Sequence, residues 1–178
     1  DTDELLLESR QRRFRVITPK TEGIVFDGGL PLTLSALSVE SATGPALVAV
    51  SSLDAAPLRQ SGRIIVVLAT DALNSGMRFE DSERKRLGEI GHLPVVMRSV
   101  RVSVQLSHEH PQDLRLYATA LNGERREAIP LQHGRDGVRF TLDTGALAYG
   151  PTTFFELVAD TSGTAREQPA RGHPANAG

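Results

Sequence analysis

The feature of this sequence that most restricts its fold is a two-residue alternation of apolar residues in short segments that end at turns. From Val100 to Leu106 every second residue is aliphatic, while Arg101, Ser103 and Gln105 between them are polar. Such alternation predicts a strand with one buried and one wet face, because successive side chains of a strand point to opposite sides. We predict one strand over Val95–Leu106.

Several other segments carry the same signal. The alternation over Leu32–Val39 slips by one residue, which is compatible with a bulged strand. Leu114–Leu131 predicts a hairpin whose Asn122-Gly123 turn is type I′, with both residues at positive φ. The charged interval 80–90 predicts a loop with one helical turn. These segments give about ten strands and no long helix, which predicts an all-β, antiparallel, jelly-roll-like β-sandwich.

The segment Val50–Met77 is a predicted strand–turn–strand unit. Ile64–Ala69 is apolar throughout, which is typical of a buried strand. Asp54 lies in the turn, where we predict that its carboxylate accepts hydrogen bonds from backbone N–H groups.

Length and composition indicate one folded domain over residues 1–160. Residues 161–178 are rich in Pro, Gly, Ala and charge, so a disordered tail or a linker is predicted there. The net charge of −2 argues against nucleic acid or an anionic membrane as a partner. No apolar run approaches the roughly 20 residues of a membrane helix. The start at Asp1, without Met or a signal region, indicates a processed protein or a piece of a longer one.

Two groups of residues suggest metal ligands. Asp71 and Asn74 follow the buried run and offer oxygen ligands suited to calcium. We favour hydrogen-bonded turns around Gly76 and expect no cofactor, with calcium as the alternative. His108 and His110 have the spacing of a zinc or copper pair on a strand, but their polar surroundings favour an exposed turn.

Aromatic residues limit the ways in which this chain could bind a polysaccharide. The sequence has no tryptophan, and Tyr117 and Tyr149 are its only tyrosines. Sugar rings stack on exposed aromatic side chains, so a flat platform for a crystalline polysaccharide is not expected. A carbohydrate-binding groove would use Tyr117 or Tyr149 as its aromatic residue.

Several motifs resemble one known family. The segment SLDAAPLRQSGRI at 52–64, followed by TDALNSGMRF at 70–79, is similar to a pattern in the β-sandwich domain that follows the (β/α)8 catalytic barrel of some bacterial glycoside hydrolases. TPKTEG at 18–23, GHLPV at 91–95 and PTTFFEL at 151–157 also resemble motifs of that domain. The resemblance runs from about Asp1 to Val158, although Leu7 stands where an aromatic residue is common.

The resemblance implies a non-catalytic accessory domain of a polysaccharide-active enzyme, with the catalytic barrel as its partner. It implies no catalytic residue in this chain and an extracellular or periplasmic location. The loop with Asn74, Met77 and Phe79 would face the barrel or the polysaccharide. An autonomous carbohydrate-binding module and a small jelly-roll metal protein that uses His108 and His110 are the alternatives. Packing on a barrel predicts an exposed apolar patch.

Overall fold

A computed structural model describes residues 4–160, so the tail predicted for 161–178 lies outside the described residues. These residues form seventeen strands and two short 3-10 helices, Ser9–Gln11 and Pro111–Asp113. The all-β prediction is therefore confirmed. The expected number of about ten strands is too low, because several strands have only two to four residues. The strands are β1 (Leu5–Glu8), β2 (Arg13–Ile17), β3 (Thr21–Phe26), β4 (Leu32–Thr33), β5 (Leu37–Ala42), β6 (Ala46–Ser52), β7 (Arg63–Ala69), β8 (Ala72–Ser75), β9 (Arg78–Phe79), β10 (Leu87–Glu89), β11 (His92–Met97), β12 (Arg101–Ser107), β13 (Leu114–Thr119), β14 (Arg125–Ile129), β15 (Leu131–His133), β16 (Gly137–Asp143) and β17 (Phe154–Ala159).

Two antiparallel sheets form the body of the fold. The eight-stranded sheet has the order β1-β2-β3-β6-β7-β17-β13-β14, and the five-stranded sheet has the order β15-β16-β12-β5-β4. Apolar residues of both sheets form one core, with Val48, Val66 and Leu157 from the larger sheet and Val104 and Phe140 from the smaller. This arrangement confirms the predicted sandwich, because each sheet buries one face against the other.

The single strand predicted for Val95–Leu106 is wrong. The segment contains the end of β11, which pairs with β8, and β12, which pairs with β5 and β16 in the five-stranded sheet. Between them the backbone leaves both ladders, and the buried N–H of Val100 donates to Oγ1 of Thr144 at 3.0 Å. Arg98 and Ser99 interrupt the apolar alternation at this break, and both residues are exposed. The sequence therefore carried a local signal of the break that the prediction of one strand passed over.

The bulged strand predicted for Leu32–Val39 is instead two strands, β4 and β5. The N–H of Leu34 donates to the carbonyl of Leu37 at 2.8 Å, which closes a tight turn between them. The buried carboxylate of Glu22, on β3 in the opposite sheet, accepts the N–H groups of Ala36 and Leu37 at 2.8–2.9 Å. This contact joins the two sheets, and the turn explains why the alternation slips.

The turn between β13 and β14 is not type I′. Gly123 has a φ of 85°, whereas Asn122 is not at positive φ. The N–H of Ala120 donates to the carbonyl of Glu124 at 2.9 Å, so the loop has three residues, a type that ends in a left-handed glycine. Leu121 is 86% exposed at its tip.

The helical turn predicted within 80–90 is also wrong. The interval holds β10, which pairs with β9. The carboxylate of Asp81 accepts the N–H groups of Lys85 and Arg86 at 3.0 and 2.9 Å, and Arg84 has a φ of 57°. The side chain of Asp81 thus organises a hairpin loop.

The predicted role of Asp54 is confirmed. Its Oδ1 accepts the N–H of Ala56 at 2.9 Å and its Oδ2 accepts the N–H of Gly62 at 2.8 Å. Burial raises the pKa of Asp54, but hydrogen bonds from Ala56, Ser52, Ser61 and Gly62 outweigh it, and the pKa lies below its ordinary value. The carboxylate therefore holds the loop between β6 and β7.

Candidate functional site

The outer face of the eight-stranded sheet, directed away from the core, is apolar over six strands. Cross-strand pairing places Phe14 beside Val25, Val25 beside Leu47 and Leu47 beside Ala69 in one row. A second row joins Ala49, Val67 and Phe154. We call this surface the apolar outer face, and its members are Leu5, Leu7, Phe14, Val16, Val25, Leu47, Ala49, Ile65, Val67, Ala69, Phe154 and Val158.

Large side chains of this face are open to solvent. Leu7, Phe14 and Val25 are 69%, 36% and 37% exposed, and the members nearer the middle of the sheet, such as Val67, are half-buried. The solvent-facing side of an antiparallel sheet is normally lined by polar residues. A contiguous exposed apolar surface marks an interaction site. The apolar outer face is therefore the first candidate site.

One ionic cluster lies within this face. Glu156 on β17 is only 6% exposed, and its two carboxylate oxygens accept Nε–H groups from Arg63 on β7 and Arg125 on β14. The guanidinium of Arg125 lies 5.3 Å from the ring centroid of Tyr117. We call these four residues the arginine–glutamate cluster.

The cluster determines the charge of Glu156. The hydrogen bond from Arg125 lowers the pKa of Glu156, burial raises it, and Arg63 lowers it further, so the pKa lies below its ordinary value. A general acid in glycoside hydrolysis needs a raised pKa. Glu156 is therefore suited to an ionic contact and poorly suited to donate a proton.

The second candidate site is a groove of about 630 Å³ at one end of the sandwich. Tyr149, 65% exposed, and Arg126 line it on one side, and Val95 and Met97 of β11 line it on another. Within residues 4–160 no carboxylate pairs with the guanidinium of Arg126. A volume of this size, with mixed apolar and polar lining, suits a small ligand.

The groove is held by hydrogen bonds from both sides. Oε2 of Glu127 accepts the N–H of Ala148 at 2.8 Å, and Oγ1 of Thr152 donates to the carbonyl of Thr119 at 2.7 Å. These bonds fix the loop that carries Tyr149 to the strands β13 and β14. The aromatic ring is thus presented by an ordered loop.

The structure divides the residues predicted to bind carbohydrate among several places. Tyr149 lines the groove, whereas Tyr117 lies under Arg125 in the arginine–glutamate cluster. Nδ2 of Asn74 donates to the carbonyl of Ile90 at 3.0 Å, and the ring of Phe79 lies 5.6 Å from the guanidinium of Arg84. Half-buried Met77 follows β8, and the N–H of Met77 donates to the carbonyl of Asn74 at 3.1 Å.

The predicted calcium ligands have protein partners. Oδ2 of Asp71 lies 2.7 Å from Nη1 of Arg84 and 3.5 Å from Nη2 of Arg98, and these cations would compete with calcium. Among residues 4–160 no group of three or more histidine, cysteine, aspartate or glutamate residues could hold a metal ion. Calcium at Asp71 and Asn74 stays the alternative to the predicted turns without an ion.

His108 is buried, contrary to the exposed turn expected for it. Its Nδ1 accepts the N–H of His110 at 3.1 Å, so its Nε2 carries the proton and donates to the carbonyl of Ser61, also at 3.1 Å. Both ring nitrogens thus have protein partners. A metal would have to replace those bonds.

Sequence reasoning missed most of the apolar outer face. The signal was present in Ile64–Ala69, which has no polar residue at alternate positions, as expected for a strand covered on both faces. For Arg126 in the groove the sequence carries no signal, because its exposure and its lack of a carboxylate partner among residues 4–160 depend on the turn geometry.

Comparisons with known proteins identify no relative. No family model matches the chain, and neither a curated protein nor a solved structure is significantly similar to it. Within the described part of the chain, no helix has the length and apolar character needed to span a membrane.

Proposed function

We propose that this chain is a non-catalytic β-sandwich domain that packs, through its apolar outer face, on the (β/α)8 catalytic domain of a polysaccharide-active glycoside hydrolase. The partner class and an extracellular or periplasmic location follow from the resemblance of the sequence motifs. The single observation that carries the proposal is the apolar outer face, because it is an interaction surface of the kind that such packing requires.

The chemistry of the chain supports a non-catalytic role. Glu156, the most buried carboxylate of the outer face, is held ionised by two arginines. Asp54 is bound in a turn, and the carboxylate of Glu22 accepts backbone N–H groups between the sheets. Each of these acids has a structural partner that explains its burial.

The test is association with a catalytic domain. The proposal requires a (β/α)8 domain in the natural polypeptide that contains this chain, and that domain and this chain would be produced separately and titrated by calorimetry. Val67→Glu places a charge in the apolar outer face and is expected to weaken association roughly tenfold or more. Thr141→Glu, on the exposed side of β16, is the matched control and should leave the Kd unchanged.

Two results would contradict the proposal. One is a natural polypeptide without such a catalytic domain. The other is a pair of domains that do not associate, or that associate equally well with Val67→Glu and with Thr141→Glu. Thermal unfolding of each variant shows whether a loss of binding reflects a loss of folding.

A second candidate function, an autonomous carbohydrate-binding module, is supported by the groove. A pyranose ring has an apolar face that would stack on the exposed ring of Tyr149, and its hydroxyls would bind Arg126. Arg126 and Glu127 side by side give the groove no net charge, which favours a neutral saccharide.

Affinity electrophoresis on a panel of plant, algal and bacterial polysaccharides, with and without calcium, tests this function. Retardation that Tyr149→Ala abolishes and Thr141→Ala preserves would support the groove. Retardation that Tyr149→Ala leaves intact would assign binding to another surface. Retardation only with calcium, lost on Asp71→Asn, would support the predicted ion site.

A further inference from the structure

The arginine–glutamate cluster has more positive charge than its own carboxylate can balance. Arg63 and Arg125 share Glu156, and within residues 4–160 neither guanidinium has a second carboxylate partner. Two guanidinium groups carry ten N–H donors, whereas one carboxylate offers about four acceptor sites. The cluster therefore has a net charge of about +1 and unused donors.

The positively charged cluster lies at the edge of the apolar outer face, with its arginines exposed. Glu156 pairs across the ladder with Ile65 on one side and with Tyr117 on the other, so the cluster borders the apolar outer face directly. The side chains of Arg63 and Arg125 are 59% and 45% exposed, whereas that of Glu156 is 8% exposed. The arginines are thus the exposed part of the cluster, and a partner that docks on this face would contact them and not Glu156.

A partner that covers the apolar outer face would remove water from these cations. An uncompensated charge buried at an interface is costly, and a guanidinium binds a carboxylate through two parallel hydrogen bonds. The Nε atoms of both arginines are oriented by Glu156, which holds the planar groups in place before binding.

We infer that the partner of the apolar outer face is a protein surface that places an aspartate or glutamate carboxylate against Arg63 and Arg125. The inference rests on the proposed function, since it assumes docking through this face. It narrows the partner to an apolar surface with an acidic residue at one defined position.

The test uses the same two separately produced domains and a variant with a neutral cluster, Arg63→Gln/Arg125→Gln/Glu156→Gln. Removing all three charges leaves no buried unpaired charge on this side, so a weaker complex reports a carboxylate on the partner. We expect the Kd to rise roughly 10- to 100-fold and the salt dependence of binding to decrease. Arg139→Gln is the control, because it breaks an ion pair between Arg139 and Glu40 that lies entirely on the five-stranded sheet. This variant should bind as the wild type does.

The outcomes separate this inference from the proposed function. A neutral-cluster variant that binds as tightly as the wild type, or more tightly, would overturn the acidic partner while docking stands. A wild-type chain that does not bind would overturn the proposed function and this inference together. If the triple variant does not fold, Arg63→Lys/Arg125→Lys keeps the charge and removes the bidentate geometry. The inference then requires at least a severalfold loss of affinity, and unchanged affinity would contradict it.

Discussion

The outer faces of the two sheets differ although their inner faces share one core. The face of the five-stranded sheet that is directed away from the core has Ser103 and Gln105 on β12 and Arg139 and Thr141 on β16. It also carries ion pairs, Arg139–Glu40 at 2.7 Å and Arg101–Asp143 at 2.8 Å. The corresponding face of the eight-stranded sheet is mostly apolar, with the hydrogen-bonded pair Thr21–Ser51 and one ionic cluster.

Strand alternation indicates which residues are buried when the chain folds, but it does not indicate which residues a binding partner would cover afterwards. The smaller sheet is suited to solvent on its outer side, as in most antiparallel sandwiches. The larger sheet has apolar residues on both sides, which is the pattern of a sheet covered twice. This asymmetry is the reason that we propose the outer side of the larger sheet as an interaction surface.

The largest effect on stability is expected from substitutions in the core, where the inner faces of the two sheets are equivalent. Leu68→Ala on β7 and Leu106→Ala on β12 each remove a fully buried side chain from the common core. Each should lower the free energy of unfolding by about 2–5 kcal/mol, measured by urea denaturation. If one of the two substitutions lowered the free energy of unfolding by less than about 1 kcal/mol, the inner faces of the two sheets would not contribute equally to the core.

A smaller effect is expected in the arginine–glutamate cluster. Glu156→Gln weakens two charge-assisted hydrogen bonds and should cost about 1–3 kcal/mol at neutral pH. The pKa of Glu156 is depressed in the folded state, so its stabilisation is present above its ordinary pKa of 4.5 and is lost as the pH falls through the folded-state pKa.

Denaturation of wild type and Glu156→Gln between pH 7 and pH 2 checks this sign. The difference in stability between the two proteins should be constant above about pH 5 and should shrink in more acidic solution. A difference that grows on acidification would contradict the ionised state assigned to Glu156.

A still smaller effect on stability is expected from placing a polar residue on the apolar outer face and an apolar residue on the polar outer face. Val67→Thr on the apolar outer face and Thr141→Val on the polar one change hydration with little change in volume. In the isolated chain each should alter the free energy of unfolding by less than about 1 kcal/mol. Binding of the dye ANS should fall for Val67→Thr, and equal dye binding by wild type and Val67→Thr would show that Val67 is already covered.

The smallest effect is expected from the ion pairs of the five-stranded sheet. Glu40→Gln removes the partner of Arg139, and both side chains are partly exposed. The change in stability should be at most about 0.5 kcal/mol and should vanish in 1 M salt. A loss of stability above about 1 kcal/mol would show that ion pairs stabilise the outer face of the five-stranded sheet, which would contradict its description as an ordinary solvent-exposed surface.

Local patterns predicted a large part of the fold. The alternation of Val102, Val104 and Leu106 gave the inner face of β12, and these residues are buried as expected. Asp54 was assigned to a turn because a short carboxylate readily accepts nearby backbone N–H groups, and it does so. These features depend on residues close in the sequence.

Other features depend on contacts between distant segments. Arg98 and Ser99 interrupt the alternation before Val100, but the local pattern does not show that the chain there passes from β11 to a different sheet. The partner of the N–H of Val100 is Thr144, 44 residues away. Tyr117 and Tyr149 were the alternative aromatic candidates for a carbohydrate groove, and only the fold places Tyr149 in the groove and Tyr117 under Arg125. No local pattern carries such information.

Local sequence patterns were enough to predict an all-β sandwich with a core of alternating aliphatic residues, because alternation and turn residues act over a few positions. The assembly of the two sheets determines which apolar residues remain on the surface and which charged residues become neighbours. Glu156 is 93 residues from Arg63 and 31 from Arg125, and strand order alone makes them neighbours. Hydrogen bonding between β7, β17, β13 and β14 builds the arginine–glutamate cluster, and the same strand order places it beside the apolar outer face.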